Sequence, residues 1–68
     1  MPEFTYSWRH LYAAALTELD ANKLRLRVYE AQSTLHKRLR ELEASPDGVV
    51  ERRAIHDALF MLDVLISR

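Results

Sequence analysis

No cysteine occurs in the 68-residue chain, which excludes disulfide staples, thiolate metal sites and a cysteine nucleophile. One glycine and two prolines leave little turn chemistry, so the connections are few. Neither sign of charge dominates: Lys plus Arg is 10, Asp plus Glu is 10, and the formal net charge is zero. That balance rules out strong whole-molecule steering toward nucleic acid or an anionic membrane. It also leaves little colloidal repulsion against self-association. Long apolar runs are lacking too. The longest, Ala58-Leu59-Phe60-Met61-Leu62, ends at Asp63, far short of the ~20 residues of a membrane span. No basic stretch leads into an apolar run near the N-terminus, so no targeting segment and a cytoplasmic location are expected. Glu3-Phe4 is what a common restriction site encodes, so residues 1–4 read equally as a cloning remnant and carry no expectation.

What is present is 49% hydrophobic and 29% charged, a mixture suited to one small domain over residues 1–68. Trp8, Leu11, Tyr12, Ala15, Leu16 and Leu19 fall on one face of a helix expected over 6–19, with Thr5 or Ser7 as its cap. Leu24, Val28, Ala31, Leu35, Leu39 and Leu42 form a second stripe at heptad-like spacing, over 21–43. At about 100° per residue the two stripes point in opposite directions, for which a break or kink between Leu19 and Leu24 is the simplest repair, the alternative being one continuous helix with each face buried by a different neighbour. Asp20 is placed to cap the new helix. Residues 44–48, Ala44-Ser45-Pro46-Asp47-Gly48, form the one obvious loop. Pro46 cannot continue a helix, and Ser45 or Asp47 is expected to cap the next one. That third helix, over 49–67, carries Ala54, Ile55, Ala58, Leu59, Leu62, Leu65 and Ile66 on its main stripe. Phe60 and Val64 fall on nearly the opposite side, and Met61 lies between.

The expected fold is all-α: a short N-terminal helix before a long antiparallel helical hairpin, assembling into a helical bundle. The hairpin core pairs the second stripe with Ile55, Ala58, Leu59, Leu62 and Ile66. One core in so short a chain rarely supplies more than ~3–5 kcal/mol. Either the first helix folds back as a three-helix bundle, or two hairpins pair as a four-helix bundle with the first helices outside. The two-sided third helix favours the second arrangement or a mixture. The expected partner is therefore a second copy, as a homodimer or higher bundle, beside a protein partner the sequence does not name. Trp8, Leu11, Tyr12 and Leu16 then cover something other than the hairpin core. Together with Phe60, Met61 and Val64 they are the candidate interface residues, Trp8 and Tyr12 reading first as core residues of the first helix's contact, which in an oligomer can be the same thing.

Candidate chemistry is thin. His10, His36 and His56 stand one per helix with no ligand spacing, so no metal and no cofactor are expected. Glu18 and Asp20 flank a helix junction, where capping explains them, and Asp57 and Asp63 do not face each other. A hairpin offers no deep pocket, so no enzyme is expected. Segment 21–43 carries Lys23, Arg25, Arg27, Lys37, Arg38 and Arg40 against Glu30, Glu41 and Glu43. A regulator binding nucleic acid through this basic helix is the alternative reading. The interleaved acids instead suggest ion pairs Arg27–Glu30, Lys37–Glu41 and Arg40–Glu43 on a solvated face. Arg38 reads as a surface residue whose loss changes neither assembly nor melting temperature.

The run Trp8-x-x-Leu11-Tyr12-x-x-Ala15-Leu16-x-Glu18-x-Asp20-x-x-Lys23-Leu24-x-x-Arg27-Val28-x-x-Ala31, with the later Glu51-x-x-x-Ile55-x-Asp57-Ala58-Leu59-x-x-Leu62, resembles a family of short, uncharacterised bacterial helical-hairpin proteins. The resemblance spans about residues 7–65. In that family a proline often follows the aspartate, where Ala21 stands here. It implies a bacterial cytoplasmic source and brings no known activity with it.

Overall fold

In the computed structural model, residues 6–67 are described. Residues 1–4 and the cap expected at Thr5 lie outside that range. Three helices follow one another: α1 (Arg9–Thr17), α2 (Ala21–Glu43) and α3 (Val49–Ile66). No strand occurs among the described residues.

The break between α1 and α2 has the cause the stripe phases demand. Asp20 adopts an extended backbone, and its Oδ1 accepts from the backbone N–H groups of Asn22 at 2.9 Å and Lys23 at 3.3 Å. Two of the orphan donors at the start of α2 are thereby satisfied. Glu18 strengthens the turn by accepting from the Asp20 N–H at 3.2 Å and pairing with Arg27 at 3.5 Å. Extending the chain from Glu18 ends α1 at Thr17, earlier than expected, and lifts Leu19 off the apolar stripe. Leu19 is consequently 97% exposed.

The start of α1 also differs from expectation. Trp8 occupies the N-cap position, and no side chain caps this helix, so Ser7 does not serve there. At the second connection neither Ser45 nor Asp47 caps α3. Gly48 is the N-cap, and Ser45 Oγ accepts instead from the Asp47 N–H. The reason is steric. A Cβ on Gly48 would stand 2.9 Å from Leu42 Cδ2 and 3.1 Å from Leu42 Cβ. The chain re-enters helix so close over Leu42 that any side chain at that point would have to displace Leu42.

The core is formed by Val28, Ala31, Leu35 and Leu42 from α2 and Ile55, Ala58 and Leu62 from α3, joined by Trp8 and Ala15. Tyr6, Leu11, Tyr12, Leu24, Leu39, Leu59 and Leu65 pack partly buried around it. Two expectations are corrected here. Trp8, Leu11 and Tyr12 cover the hairpin core itself, because the short turn at Asp20 brings α1 back along the hairpin. Ile66 is exposed, with Leu65 turned inward in its place. The Cα framework is only 15 Å deep against 38 and 28 Å in its other directions. So shallow an arrangement leaves the outward face of each helix uncovered.

Candidate functional site

Two surfaces stand out, and between them they hold most of the candidate interface residues. The first is a polar cluster under the start of α1. Glu51, in the first turn of α3, has a side chain only 12% exposed. Arg38 donates to it twice, from Nε to Oε2 at 2.8 Å and from Nη2 to Oε1 at 3.0 Å. The Trp8 indole N–H donates to the same Oε2 at 3.1 Å. A two-pronged guanidinium–carboxylate pair of this kind is the strong form of the contact. The guanidinium hydrogen bonds, with help from the indole N–H, hold the Glu51 carboxyl below its usual range against the opposing effect of burial. Arg38 is pushed up in turn, chiefly by its hydrogen bonds to Glu51 and then to Glu41.

This cluster corrects the reading of Arg38 as a free surface residue. Glu41 pairs with Arg38 at 3.2 Å, so the expected Lys37–Glu41 contact is absent among the described ion pairs, as is Arg40–Glu43. Arg27–Glu30 forms at 3.7 Å. Sequence reasoning missed the cluster because its members lie 43 and 13 residues apart. The usable signal was the pairing of an acid on the core side of α3 with an arginine at the edge of the α2 stripe.

Aromatic stacking continues from the cluster. The Tyr6 and Trp8 rings stack at 5.3 Å, and Tyr12 meets Trp8 edge-on at 6.4 Å. With Leu16, Ala54 and Ala58 these three line a shallow groove between α1 and α3. Trp8, Tyr12 and Leu16 are thus brought together, while Leu11 packs against the core.

The second surface is the outward face of α3. Phe60 is 68% exposed, Met61 41% and Val64 37%. Phe60 lies two positions before the buried Leu62, about 200° round the helix, so it points away from the core. Val64 sits one turn further along the same face. Six of the seven candidate interface residues therefore divide between the groove and this face, and Leu11 belongs to neither.

Neither surface has the makings of a metal centre. His10, His36 and His56 are all exposed, and no group of three or more His, Asp or Glu side chains able to hold a metal ion occurs among the described residues. No helix among them is long and apolar enough to cross a membrane. Of the cations on α2, Arg27 and Arg38 are engaged by carboxylates. No protein-family model, curated protein or solved structure matches the chain.

Proposed function

We propose that this chain is a small, non-enzymatic helical protein–protein interaction module of the cytoplasm that self-associates. The observation that carries the reading is the apolar surplus of α3. Of its twelve apolar side chains, six stay exposed: Val49, Val50, Phe60, Met61, Val64 and Ile66. A helix apolar on two sides is covered from two directions in a stable assembly. Within one chain, α1 and α2 cover only the inner side of α3. Burying the outer side removes apolar area from water at about 25 cal/mol per Å². In a domain with so small a core, that gain is comparable with the whole folding stability.

The resemblance to bacterial helical-hairpin proteins suggests the setting and adds no chemistry. The nucleic-acid reading has less support, since two of the six cations of α2 already face carboxylates.

Sedimentation across a concentration series tests the proposal. The expected result is a mass at least twice 8.0 kDa at micromolar concentration, lowered by Phe60→Asp and unchanged by Lys37→Ala. A single 8.0 kDa species at every concentration overturns it. Binding of DNA or RNA that weakens steeply with added salt would favour the alternative.

A further inference from the structure

The outward face of α3 carries charges as well as apolar side chains, and their order is informative. Arg53 lies seven positions before Phe60 and so on the same face, two turns earlier. Arg52, Arg53 and His56 lie in the N-terminal half of the helix, Asp57 stands at its middle, and Asp63 lies in the C-terminal half. A helix dipole favours the reverse order, with acids early and bases late. The one acid in the first turn, Glu51, is turned inward to Arg38, and the last turn holds no base. None of Arg52, Arg53, Asp57 and Asp63 takes part in the ion pairs among the described residues. The face is therefore bipolar, apolar at its centre line, and unbalanced within its own chain.

One occupant balances it. We infer that this face docks a second copy of the chain, α3 against α3 in antiparallel sense, about a two-fold axis level with residue 58. The inference rests on the self-association reading above and specifies its surface and register. In that register residue 53 stands opposite residue 63 of the other copy, and residue 56 opposite residue 60. Each Arg53 meets Asp63 of the partner subunit, and each Phe60 ring packs over the partner's His56 beside Val64. The Arg52–Arg53 end of each helix lies along the Asp63 end of the other, and the two dipoles oppose.

Two competing registers are worse on charge. Moving the axis to residue 60, so that the two Phe60 rings meet, sets Asp57 opposite the partner's Asp63. A parallel in-register pair sets Arg53 against Arg53 and Asp63 against Asp63. Both lose the two Arg53–Asp63 pairs and hold at least two like-charge pairs, whereas the axis at residue 58 brings only the two Asp57 side chains near each other. An isologous interface has the self-complementarity that this face displays.

Charge reversal on the full chain tests the inference, at low ionic strength because the pairs are exposed. Arg53→Glu and Asp63→Arg each place like charges opposite twice per dimer, and each is expected to weaken association about ten-fold. Mixing the two variants, or combining both changes in one chain, restores opposite charges and returns the wild-type Kd. Helical circular dichroism of every variant is expected to match wild type. A wild type that stays monomeric overturns the self-association reading itself. An associating wild type whose single reversals bind like wild type leaves that reading standing and overturns this surface. Single reversals that weaken binding without rescue by mixing overturn the antiparallel register.

Discussion

The indole N–H of Trp8 and Oε2 of Glu51 lie 3.1 Å apart across 43 residues of sequence, and this contact ties the start of α1 to the start of α3. The same oxygen accepts from Arg38 Nε at 2.8 Å, so all three helical segments meet at one carboxylate. Replacing Glu51 by Gln leaves a single acceptor oxygen for two donor groups and turns an amide N–H₂ toward the guanidinium. Loss of charge-assisted hydrogen bonds at a largely buried group is expected to cost about 1–2 kcal/mol. A chain of this size then melts several degrees lower. Arg38→Ala is expected to lower the melting temperature as well, by stranding the carboxylate. Thermal unfolding of both variants at neutral pH checks this.

The pH dependence follows from the same group. Arg38 and Trp8 hold the Glu51 carboxyl below its ordinary value of 4.5. Below that value the unfolded chain binds the proton more readily than the native one, so the stabilisation is fully present above it and is lost as pH falls. Other carboxylates titrate in the same range, so the useful readout is the melting-temperature gap between wild type and Glu51→Gln. That gap is expected to be largest at neutral pH and to shrink toward pH 3. A gap independent of pH would show that the contact acts through packing alone.

Trp8 separates ring from hydrogen bond. Trp8→Phe keeps an aromatic surface for Tyr6 and Tyr12 but removes the donor to Glu51, and about 1 kcal/mol is expected. Trp8→Ala also empties the core beneath α1 and is expected to cost about 3–5 kcal/mol, near the whole stability of so small a domain. Denaturant titration of both variants distinguishes them: a cooperative transition survives in the first and is largely gone in the second.

The periodicity of Leu24 to Leu42 and of Ile55 to Leu62 made the hairpin legible, because buried stripes repeat at the helical period whatever their neighbours are. The opposed phases made the break at Asp20 legible for the same reason. What periodicity cannot carry is the direction in which α1 folds back. That depends on a three-residue turn and on one indole meeting one carboxylate, and neither leaves a repeat. The capping error at Ser45 and Asp47 has a similar origin: the close passage of Gly48 over Leu42 is a tertiary fact. The exposure of Phe60, Met61 and Val64 was legible, since side chains opposite a buried stripe on a helix at the edge of a thin structure stay outside.

Asp20 is the sole side-chain cap among the three helix N-termini. Asp20→Ala leaves the N–H groups of Asn22 and Lys23 to water and is expected to cost about 0.5–2 kcal/mol. Asp20→Asn keeps an acceptor oxygen and is expected to recover most of that loss. Equal destabilisation by the two variants would point to the charge near the start of α2, rather than the hydrogen bonds, as the source.

Gly48 gives the sharpest steric prediction. Its φ of −89° is open to any residue, so Gly48→Ala carries no penalty of backbone conformation. It even reduces the freedom of the unfolded chain, worth about 0.4–1 kcal/mol in favour of folding. Against that stands the contact with Leu42. The new Cβ would lie 2.9 Å from Cδ2, which can rotate, and 3.1 Å from Cβ, which can move only with the backbone. Leu42 is itself buried, so the displacement passes into the core, where overpacking costs typically about 1–3 kcal/mol. The steric cost is expected to win, leaving Gly48→Ala about 1 kcal/mol less stable than wild type. Leu42→Ala removes the nearer atom, Cδ2, keeps Cβ and opens a cavity, so it destabilises alone. In the double variant the penalty at position 48 is expected to shrink, a coupling that a double-mutant cycle by denaturant titration measures directly. Strict additivity would show that the penalty at position 48 does not come from Leu42 Cδ2.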